Sequence, residues 1–373
     1  MNRLRQLEAL GQSLWLDYIE RTLLTEGELE RLIRDDGISG VTSNPAIFEK
    51  AMTQHAEYDA TIGQLARRGL NAQAIYEALA IEDVSRAANQ LRGVYEASGG
   101  EDGYVSLEVS PKLTNDTAAT VAEAQRLWHR VARPNLMIKV PATQAGLPAI
   151  RQLIAAGINV NVTLLFSVAR YREVAESYLA GLEDRLANGS AINHIASVAS
   201  FFLSRIDTLV DGYLDRDGRA QTKTLRGRAA IACACLAYQE YQVLVRSARW
   251  QALVAHGARP QRLLWASTST KDPAYDDVKY VEALIGPGTI NTLPPETIAA
   301  YRDHGQPELR LEQDMEMAHA LPGQLAALGI ELDAVGKELE RQGAQKFIEP
   351  YERLLAVLAQ RADELAAHDN SHA

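Results

Sequence analysis

The chain has little cysteine, no excess of positive charge and no long apolar run, and each shortage excludes a class of protein. Its 373 residues include only two cysteines, Cys233 and Cys235, too few for a disulfide framework and typical of a reducing compartment. With 38 basic against 48 acidic residues, the formal charge is −10, which argues against a nucleic-acid backbone or an anionic membrane surface as partner. No run reaches the length of about 20 apolar residues that a spanning helix needs. The N-terminus also lacks a signal core, so we expect a cytoplasmic protein.

Recognisable metal and cofactor motifs are lacking as well. The eight histidines are scattered along the chain, and the sequence contains no Cys-x-x-Cys pair. Gly286-Pro-Gly288 is typical of a turn, and no glycine-rich helix start is clearly placed to hold the phosphate of a cofactor. We therefore expect neither a metal nor a cofactor.

What the sequence does have is a regular alternation of short apolar runs and amphipathic segments. Eight runs predict strands, at Leu14–Ile19, Gly40–Ser43, Tyr104–Val109, Leu136–Val140, Ile158–Leu164, Ile195–Ser200, Arg262–Ala266 and Thr289–Leu293. Helical patterns separate them, among them Thr25–Asp35, Asp116–Val131, Leu147–Ala156, Ser167–Asn188 and Lys223–His256. Strands that alternate with helices are parallel, and eight such units can close into a single (β/α)8 TIM barrel, an α/β fold.

The barrel is expected to occupy residues 1–300 and to carry the active site. Its two long intervals, 44–103 and 201–261, are rich in helical pattern and predict extra helical insertions rather than new domains. Residues 301–373 predict a C-terminal helical extension that packs on the barrel. Glycine and proline punctuate this extension from Pro322-Gly323 to Pro350, which favours shorter helices, such as Leu309–Leu321 and Tyr351–Ala367, over one long helix.

Polar side chains interrupt the apolar strands toward one end. Seven of them lie at or just past the carboxyl ends of predicted strands: Asp17, Asn44, Glu108, Lys139, Asn161, Thr163 and Ser200. In an α/β barrel the carboxyl ends of the strands form the catalytic face. The pattern therefore predicts that these residues converge on one pocket.

Lys139 is unusual because it lies inside an apolar strand, Leu136-Met-Ile-Lys-Val140. Burial of an ammonium ion costs several kcal/mol unless the ion is paired, so burial favours the neutral amine. A neutral amine can attack a ketone and form an iminium ion, which accepts electrons when the adjacent carbon–carbon bond breaks. The alternative is a lysine that reaches the surface or pairs with an acid for structural reasons.

Two carboxyl groups flanked by apolar strand residues, Asp17 and Glu108, could serve such a lysine. Schiff-base chemistry needs proton transfers at the carbinolamine oxygen and at a substrate hydroxyl, and one group rarely reaches both. The sequence leaves open the alternative that both acids pair with Lys139 in a buried structural triad.

These residues lie in motifs that resemble the transaldolase family, in the order of that family. The motifs are Leu16-Asp17-Tyr18, Val41-Thr-Ser-Asn-Pro45, Ser106-Leu-Glu-Val109, Met137-Ile-Lys-Val-Pro141, Asn159-Val-Asn-Val-Thr-Leu-Leu-Phe-Ser167 and Ser200-Phe-Phe-Leu-Ser-Arg-Ile-Asp207. The resemblance runs from about Leu14 to Pro295, and Gly343-Ala-Gln-Lys-Phe-Ile348 resembles the start of the C-terminal lid helix of the family. The chain length is similar to that of the longer bacterial form.

The resemblance implies a class I transaldolase of the pentose phosphate pathway that moves a dihydroxyacetone unit between sugar phosphates. Sedoheptulose 7-phosphate and glyceraldehyde 3-phosphate would give erythrose 4-phosphate and fructose 6-phosphate. Lys139 would be the Schiff-base lysine, and Asp17 the acid and base at the C4 hydroxyl of the donor. Glu108, with Thr163, would hold the water that relays protons as the carbinolamine forms and collapses.

The resemblance also implies binding residues for phosphorylated ketose and aldose substrates. Asn44 and Asn161 would hydrogen-bond the hydroxyls of the three-carbon unit, and amides suit hydroxyls because they both donate and accept. Ser200 and Arg205 would bind the phosphate. Arg205 follows Phe201-Phe202-Leu203, and apolar neighbours let a guanidinium grip phosphate with little competition from water. Without the resemblance, a surface arginine at a helix start is the alternative.

The chain departs from the family pattern beyond the seventh strand. The short form carries a second phosphate arginine in an Ala-Ser-Phe-Arg pattern, whereas Ser269 stands at that position here, in Ala266-Ser-Thr-Ser-Thr-Lys271. We expect Lys271 to supply the second charge, with Ser267 or Ser269 as hydroxyl donors. A lysine offers a point charge rather than a fork, which predicts weaker phosphate discrimination.

Other functions remain open at the level of sequence. A class I aldolase would share the lysine and release free dihydroxyacetone or cleave deoxyribose phosphate, and a pyridoxal phosphate barrel would also use a strand lysine. A catalytically silent barrel that binds sugar phosphates is the alternative from another class. The sequence does not decide whether the chain forms a homo-oligomer.

Overall fold

Eight parallel strands form a closed barrel in the computed structural model, which describes residues 2–217 and 219–370. The strands are β1 (Gln12–Leu16), β2 (Ile38–Val41), β3 (Tyr104–Glu108), β4 (Leu136–Pro141), β5 (Val160–Leu165), β6 (Ser197–Phe202), β7 (Arg262–Ala266) and β8 (Thr289–Leu293). Each strand pairs with the next along the chain, and β8 pairs with β1. The prediction of an α/β fold with a (β/α)8 TIM barrel is confirmed.

Helices surround the barrel and fill both long intervals. In the described part of the chain they are α1 (Arg3–Ala9), α2 (Arg21–Thr25), α3 (Glu28–Arg31), α4 (Pro45–Gln54), α5 (Asp59–Arg67), α6 (Ala72–Gln90), α7 (Arg92–Ala97), α8 (Thr117–Val131), α9 (Gly146–Ala156), α10 (Val168–Ala187), α11 (Ser204–Asp217), α12 (Ala229–Arg246), α13 (Ala248–Val254), α14 (Lys279–Ala283), α15 (Pro295–His304), α16 (Met315–Ala326) and α17 (Leu332–Asn370). The predicted extra helical insertions are therefore present. No helix in this part of the chain has a stretch long and apolar enough to cross a membrane.

Local sequence explains where strands end and helices begin. Every residue of β3, β4, β5 and β6 is buried, which accounts for their nearly continuous apolar composition. Asp116 and Ser167 cap α8 and α10, because each side chain accepts a hydrogen bond from a backbone N–H of the first turn. The pattern over Lys223–His256 predicts one helix, but the segment forms two, α12 and α13. They are separate because the backbone of Ser247 is extended and its side chain caps α13.

The prediction of several short helices near the C-terminus was wrong for most of that segment. Helix α17 is continuous over 39 residues and contains Gly336, Gly343 and Pro350. The two glycines are explained by close packing rather than by breaks. A Cβ at Gly336 would lie 2.7 Å from the Cβ of Ser167, and one at Gly343 would lie 3.0 Å from a methyl of Leu164. Packing against the barrel thus outweighs local helix propensity.

Helix α17 packs on α4, α5 and α6 and also contacts β5 and α11. Ion pairs bind it to the barrel, with Arg353 2.6 Å from Glu49 and Arg170 3.1 Å from Glu340. Helix α17 is therefore packed against the helices and strands of the barrel. The predicted division at residue 300 falls within α15 and stays a prediction.

Candidate active site

A cavity of about 700 Å³ opens at the carboxyl ends of the strands. Eight of the eleven residues predicted for the site line it: Asp17, Asn44, Lys139, Ser200, Arg205, Ser267, Ser269 and Lys271. The other three predicted residues, Glu108, Asn161 and Thr163, are buried in the adjoining strands. The structure thus brings most of the predicted set to one place.

Lys139 presents a buried amine to this cavity. Its side chain is 5% exposed, and Nζ donates a hydrogen bond to the carbonyl of Ser43 at 3.1 Å. Strand register explains its neighbours, since Glu108, Lys139 and Asn161 are paired residues on β3, β4 and β5. The Glu108 carboxylate lies 3.9 Å from Nζ, too far for a hydrogen bond. The amine is therefore held by one neutral acceptor and a nearby acid.

Glu108 and Thr163 are buried in β3 and β5, the strands on either side of β4, and have no hydrogen-bond partners among the described residues. Both carboxylate oxygens of Glu108 and the hydroxyl of Thr163 are buried and unpaired. Burial raises the pKa of Glu108 to about 7, an effect that Lys139 opposes and Asp17 adds to. Glu108 also lines a separate cavity of about 20 Å³ beside Tyr76. A carboxyl group with this pKa can gain and lose a proton near neutral pH.

Asp17 follows β1 directly and is fixed by two neighbouring strands. Its N–H donates to the carbonyl of Leu293, and its Oδ1 accepts a hydrogen bond of 2.6 Å from Thr42. The Thr42 hydroxyl in turn lies 2.8 Å from that of Thr292. Burial raises the pKa of Asp17, and both Lys139 and the Thr42 hydrogen bond oppose this. The carboxyl group is therefore held rigidly at the edge of the cavity.

The two asparagines occupy different positions. Asn44 lines the cavity and also caps α4, since its Oδ1 accepts from the N–H of Ile47 at 3.0 Å. Asn161 lies behind Ser200, whose hydroxyl donates to its Oδ1 at 2.7 Å, while its Nδ2 donates to Ser106 at 2.9 Å. In this arrangement Asn161 fixes the Ser200 hydroxyl.

Arg205 lies between two aromatic rings at the cavity wall. Its guanidinium carbon is 5.5 Å from the ring centre of Phe202 and 5.8 Å from that of Phe347. Burial lowers its pKa, an effect opposed by Glu108, and its Nη1 is buried with no hydrogen-bond partner in the described part of the chain. An unpaired guanidinium that faces a cavity is a suitable anion-binding group.

The segment after β7 brings its serines and lysine to the same cavity. Ser267 has a positive φ of 54°, and its hydroxyl lies 2.8 Å from that of Ser204 at the start of α11. The Lys271 amine donates a hydrogen bond of 2.6 Å to the Ser269 hydroxyl, which places the two polar groups side by side. The lysine therefore lies close to the position at which the family pattern has an arginine.

Several lining residues escaped the sequence prediction. Thr42 donates a hydrogen bond to Asp17, and the Thr42 hydroxyl is bonded to that of Thr292. Both threonines could have been predicted from their positions at the carboxyl ends of β2 and β8. The helices contribute three further lining residues, Lys50, Lys346 and Phe347. A search for polar residues at the ends of strands could not identify them. Phe347 lies in the predicted lid motif, but the motif alone did not identify its contact.

One group in the described part of the chain has the donors for a metal ion. Asp276, Asp277 and His304 bring their ligand atoms within 4.8 Å of one another. All three residues are exposed, and none lines the cavity. Exposed acids often cluster in this way in the absence of any ion, and we assign the group no role.

Comparison with known proteins agrees with this geometry. Residues 14–358 match the sequence model of the family described as Transaldolase/Fructose-6-phosphate aldolase. The chain is 50% identical to Transaldolase 2 of Nostoc punctiforme over 98% of this chain and 99% of that protein. It is 49% identical to the transaldolase of Thiobacillus denitrificans, over 95% and 99% of the two chains. The resemblance read from the motifs is confirmed, and the chain belongs to the transaldolase/fructose-6-phosphate aldolase family.

Proposed function

We propose that this protein is a transaldolase that transfers a dihydroxyacetone unit between sugar phosphates through a Schiff base on Lys139. The proposed reaction converts sedoheptulose 7-phosphate and glyceraldehyde 3-phosphate into erythrose 4-phosphate and fructose 6-phosphate, a step of the pentose phosphate pathway. The observation that carries the proposal is the buried Lys139 amine, which faces a cavity and lies 3.9 Å from a second buried ionisable group, Glu108. The names of the relatives support the same activity.

The first stage is formation of the Schiff base. The Lys139 amine attacks the C2 carbonyl of the ketose, and loss of water from the carbinolamine gives an iminium ion. The position of the amine supports this role, because the nitrogen is buried and opens onto the cavity. The hydrogen bond to the Ser43 carbonyl orients the nitrogen.

Asp17 is the proposed acid and base for carbon–carbon bond cleavage. It takes the proton of the C4 hydroxyl, the C3–C4 bond breaks, and the electrons pass to the iminium to leave an enamine on Lys139. The enamine carbon then attacks the aldehyde carbon of the acceptor, and Asp17 returns the proton to the new hydroxyl. Its raised pKa and its hydrogen bond from Thr42 support this assignment, because the group must carry a proton and keep its position.

Glu108 and Thr163 are proposed to hold the water that relays protons at the carbinolamine. Their unpaired oxygens offer this water hydrogen bonds, and a pKa of about 7 lets Glu108 both donate and accept a proton. The same water then attacks the product iminium, and the C2–Nζ bond breaks to release the ketose.

The remaining polar groups are proposed to bind the substrate. Asn44 and Asn161 would contact the hydroxyls of the three-carbon unit, and Asn161 also holds the Ser200 hydroxyl. Arg205 and Ser200 would bind the phosphate, with Lys271 as a second charge. Ser267 and Ser269 supply hydroxyl donors beside them.

The second candidate is a class I aldolase, which the family description also includes. Both enzymes would form the same intermediate and differ in whether an aldehyde or water accepts the three-carbon unit. A barrel that only binds sugar phosphates is less well supported, because it needs neither a buried amine nor neighbouring acids. The cytoplasmic location and a homo-oligomeric state stay predictions.

Turnover with and without an acceptor aldehyde separates these functions. The purified protein is incubated with fructose 6-phosphate, and products are measured before and after erythrose 4-phosphate is added. A transaldolase forms sedoheptulose 7-phosphate only with the acceptor and releases little free dihydroxyacetone without it. Sustained release of dihydroxyacetone without an acceptor would identify an aldolase, and binding without any product would identify the silent barrel.

A further inference from the structure

We propose that Phe347 decides whether the three-carbon intermediate is transferred or lost to water. The inference rests on the proposed transaldolase function and names a residue that controls its outcome. Phe347 would act by covering the Schiff-base nitrogen with an aromatic ring that comes from the C-terminal helix rather than from the barrel.

The position of the ring carries the proposal. Phe347 lines the cavity and is 4% exposed, so the ring is fixed in the wall and does not project into solvent. Its centre lies 6.0 Å from Nζ of Lys139 and 5.8 Å from the guanidinium carbon of Arg205. The same apolar ring therefore lies next to both the reacting nitrogen of Lys139 and the guanidinium of Arg205, the proposed phosphate ligand.

Contacts away from the cavity hold the ring in this position. Arg353 pairs with Glu49 at 2.6 Å, and Arg361 donates to the carbonyl of Met52 at 2.6 Å, both on the side of α4. On the side of β5, Gly343 approaches Leu164 closely enough that a Cβ would lie 3.0 Å from it. The substrate is not needed for these contacts, so the ring is in place when the intermediate forms.

Loss of the intermediate requires protons and water at the atoms that this ring adjoins. A proton must add to the enamine carbon, which restores the iminium. Water then adds to C2, and the C2–Nζ bond breaks to give free dihydroxyacetone and the lysine amine. A ring offers water no strong hydrogen bond and excludes it from the volume that the ring fills. Glu108 is buried in β3 and is not part of the lining of this cavity, so the catalytic water proposed there is compatible with the ring.

The same ring also affects the arginine. Phe202 and Phe347 both lie within 6 Å of the guanidinium carbon of Arg205, where a cation is attracted to an aromatic face. Removal of the Phe347 ring would hydrate Arg205 and weaken phosphate binding. A rise in KM is therefore expected too, but a general loosening of the site would also cause it.

The discriminating measurement is the ratio of free dihydroxyacetone to transferred product. Phe347→Ala and the larger Phe347→Leu are compared with the unchanged protein, with fructose 6-phosphate as donor and erythrose 4-phosphate as acceptor. Ile348→Ala is the matched control, since it removes an apolar side chain from the next position of α17 and is not part of the cavity lining. We expect a severalfold higher ratio for Phe347→Ala, a smaller rise for Phe347→Leu and no change for Ile348→Ala.

The outcomes separate this inference from the proposed function. If the unchanged protein transfers the unit and the Phe347 variants keep its ratio, even with lower kcat, the role of the ring is refuted. An equal rise in Ile348→Ala would also refute it, because any loosening of the helix would then suffice. If the unchanged protein transfers nothing to the acceptor, the proposed function itself fails. Phe347→Leu keeps the test decisive should Phe347→Ala not fold.

Discussion

Burial brings the pKa of Glu108 close to neutral pH, although in the unfolded chain this carboxyl group has the pKa of an ordinary glutamate. Its pKa rises from 4.5 to about 7 because the buried carboxylate is shielded from solvent water and has no hydrogen-bond partner in the described structure. Between these values the folded state binds a proton that the unfolded state does not. The contribution of Glu108 to stability is therefore present below pH 4.5 and is lost as the pH rises to about 7.

Glu108→Gln removes this dependence on pH. We expect the free energy of unfolding of the unchanged protein to fall, relative to that of the variant, by up to about 3 kcal/mol across this interval. Urea unfolding of both proteins at a series of pH values measures the difference. Parallel stability curves would show that Glu108 does not titrate in this range. The variant should also lose the ionisation near pH 7 from its profile of kcat.

Lys271 is the proposed second cation for the substrate phosphate. Lys271→Ala should raise KM for phosphorylated substrates by about tenfold, because a hydrogen bond to a charged group contributes about 1.5–3 kcal/mol. Lys337→Ala is the control, as Lys337 is an exposed lysine that is not part of the cavity lining. Steady-state kinetics of both variants measure the effect, and an unchanged KM for Lys271→Ala would remove Lys271 from the phosphate site.

Single residues could be predicted where a side chain contradicted its local pattern. Lys139 was found because a lysine interrupts an apolar strand, and Asp17 and Glu108 because acids flanked by apolar residues interrupt two others. Phe347 could not be found in this way, because an apolar residue on an amphipathic helix contradicts nothing. Its contact with Lys139 joins two residues that are 208 positions apart in the sequence, and only the fold brings them together.

At the scale of elements, α17 shows the limit of local patterns. Glycine and proline predicted breaks in this segment, whereas two of the glycines lie at close contacts with β5 and the residues after it. The strands were easier to predict, because the apolar runs that form them are short and bounded by polar residues. The approach of α17 to the barrel depends on tertiary packing, which propensity does not describe.

Gly336→Ala tests whether this approach fixes the helix. Alanine favours a helix by about 1 kcal/mol over glycine, yet a Cβ here would lie 2.7 Å from the Cβ of Ser167. We therefore expect a loss of about 1–3 kcal/mol in stability. Gly212→Ala in α11 is the control, since a Cβ there meets nothing within 4 Å, and it should stabilise the protein by up to about 1 kcal/mol. Thermal unfolding compares the two, and a more stable Gly336→Ala would contradict the packing.

At the scale of the whole molecule, the charge of the cavity differs in sign from that of the chain. The formal charge is −10, but the cavity lining includes Arg205, Lys50, Lys271 and Lys346 against the carboxyl groups of Asp17 and Glu296. An acidic protein repels phosphorylated substrates at long range, whereas a cationic cavity attracts them at short range. The alternation of strands and helices predicted the barrel, but the composition alone could not predict this local reversal of charge.

The response of kcat/KM to salt shows which effect dominates. The Debye screening length falls from about 30 Å at 0.01 M to about 10 Å at 0.1 M ionic strength. Added salt therefore weakens whichever electrostatic interaction with the substrate dominates. We expect kcat/KM for phosphorylated substrates to fall as sodium chloride is added, because the cavity lies on the path of the substrate. A rise with salt would mean that repulsion by the whole molecule prevails. Fructose as donor with erythrose as acceptor, both uncharged, is the control that salt should hardly affect.

The central claim is that Lys139 forms the covalent intermediate, and borohydride trapping tests it most directly. The protein is incubated with fructose 6-phosphate and borohydride, digested and examined by mass spectrometry, with Lys139→Gln as the control. A reduced three-carbon adduct on the peptide that contains Lys139, absent from the variant, is the predicted result. An unmodified Lys139 peptide from folded protein, or an adduct on another lysine, would contradict it.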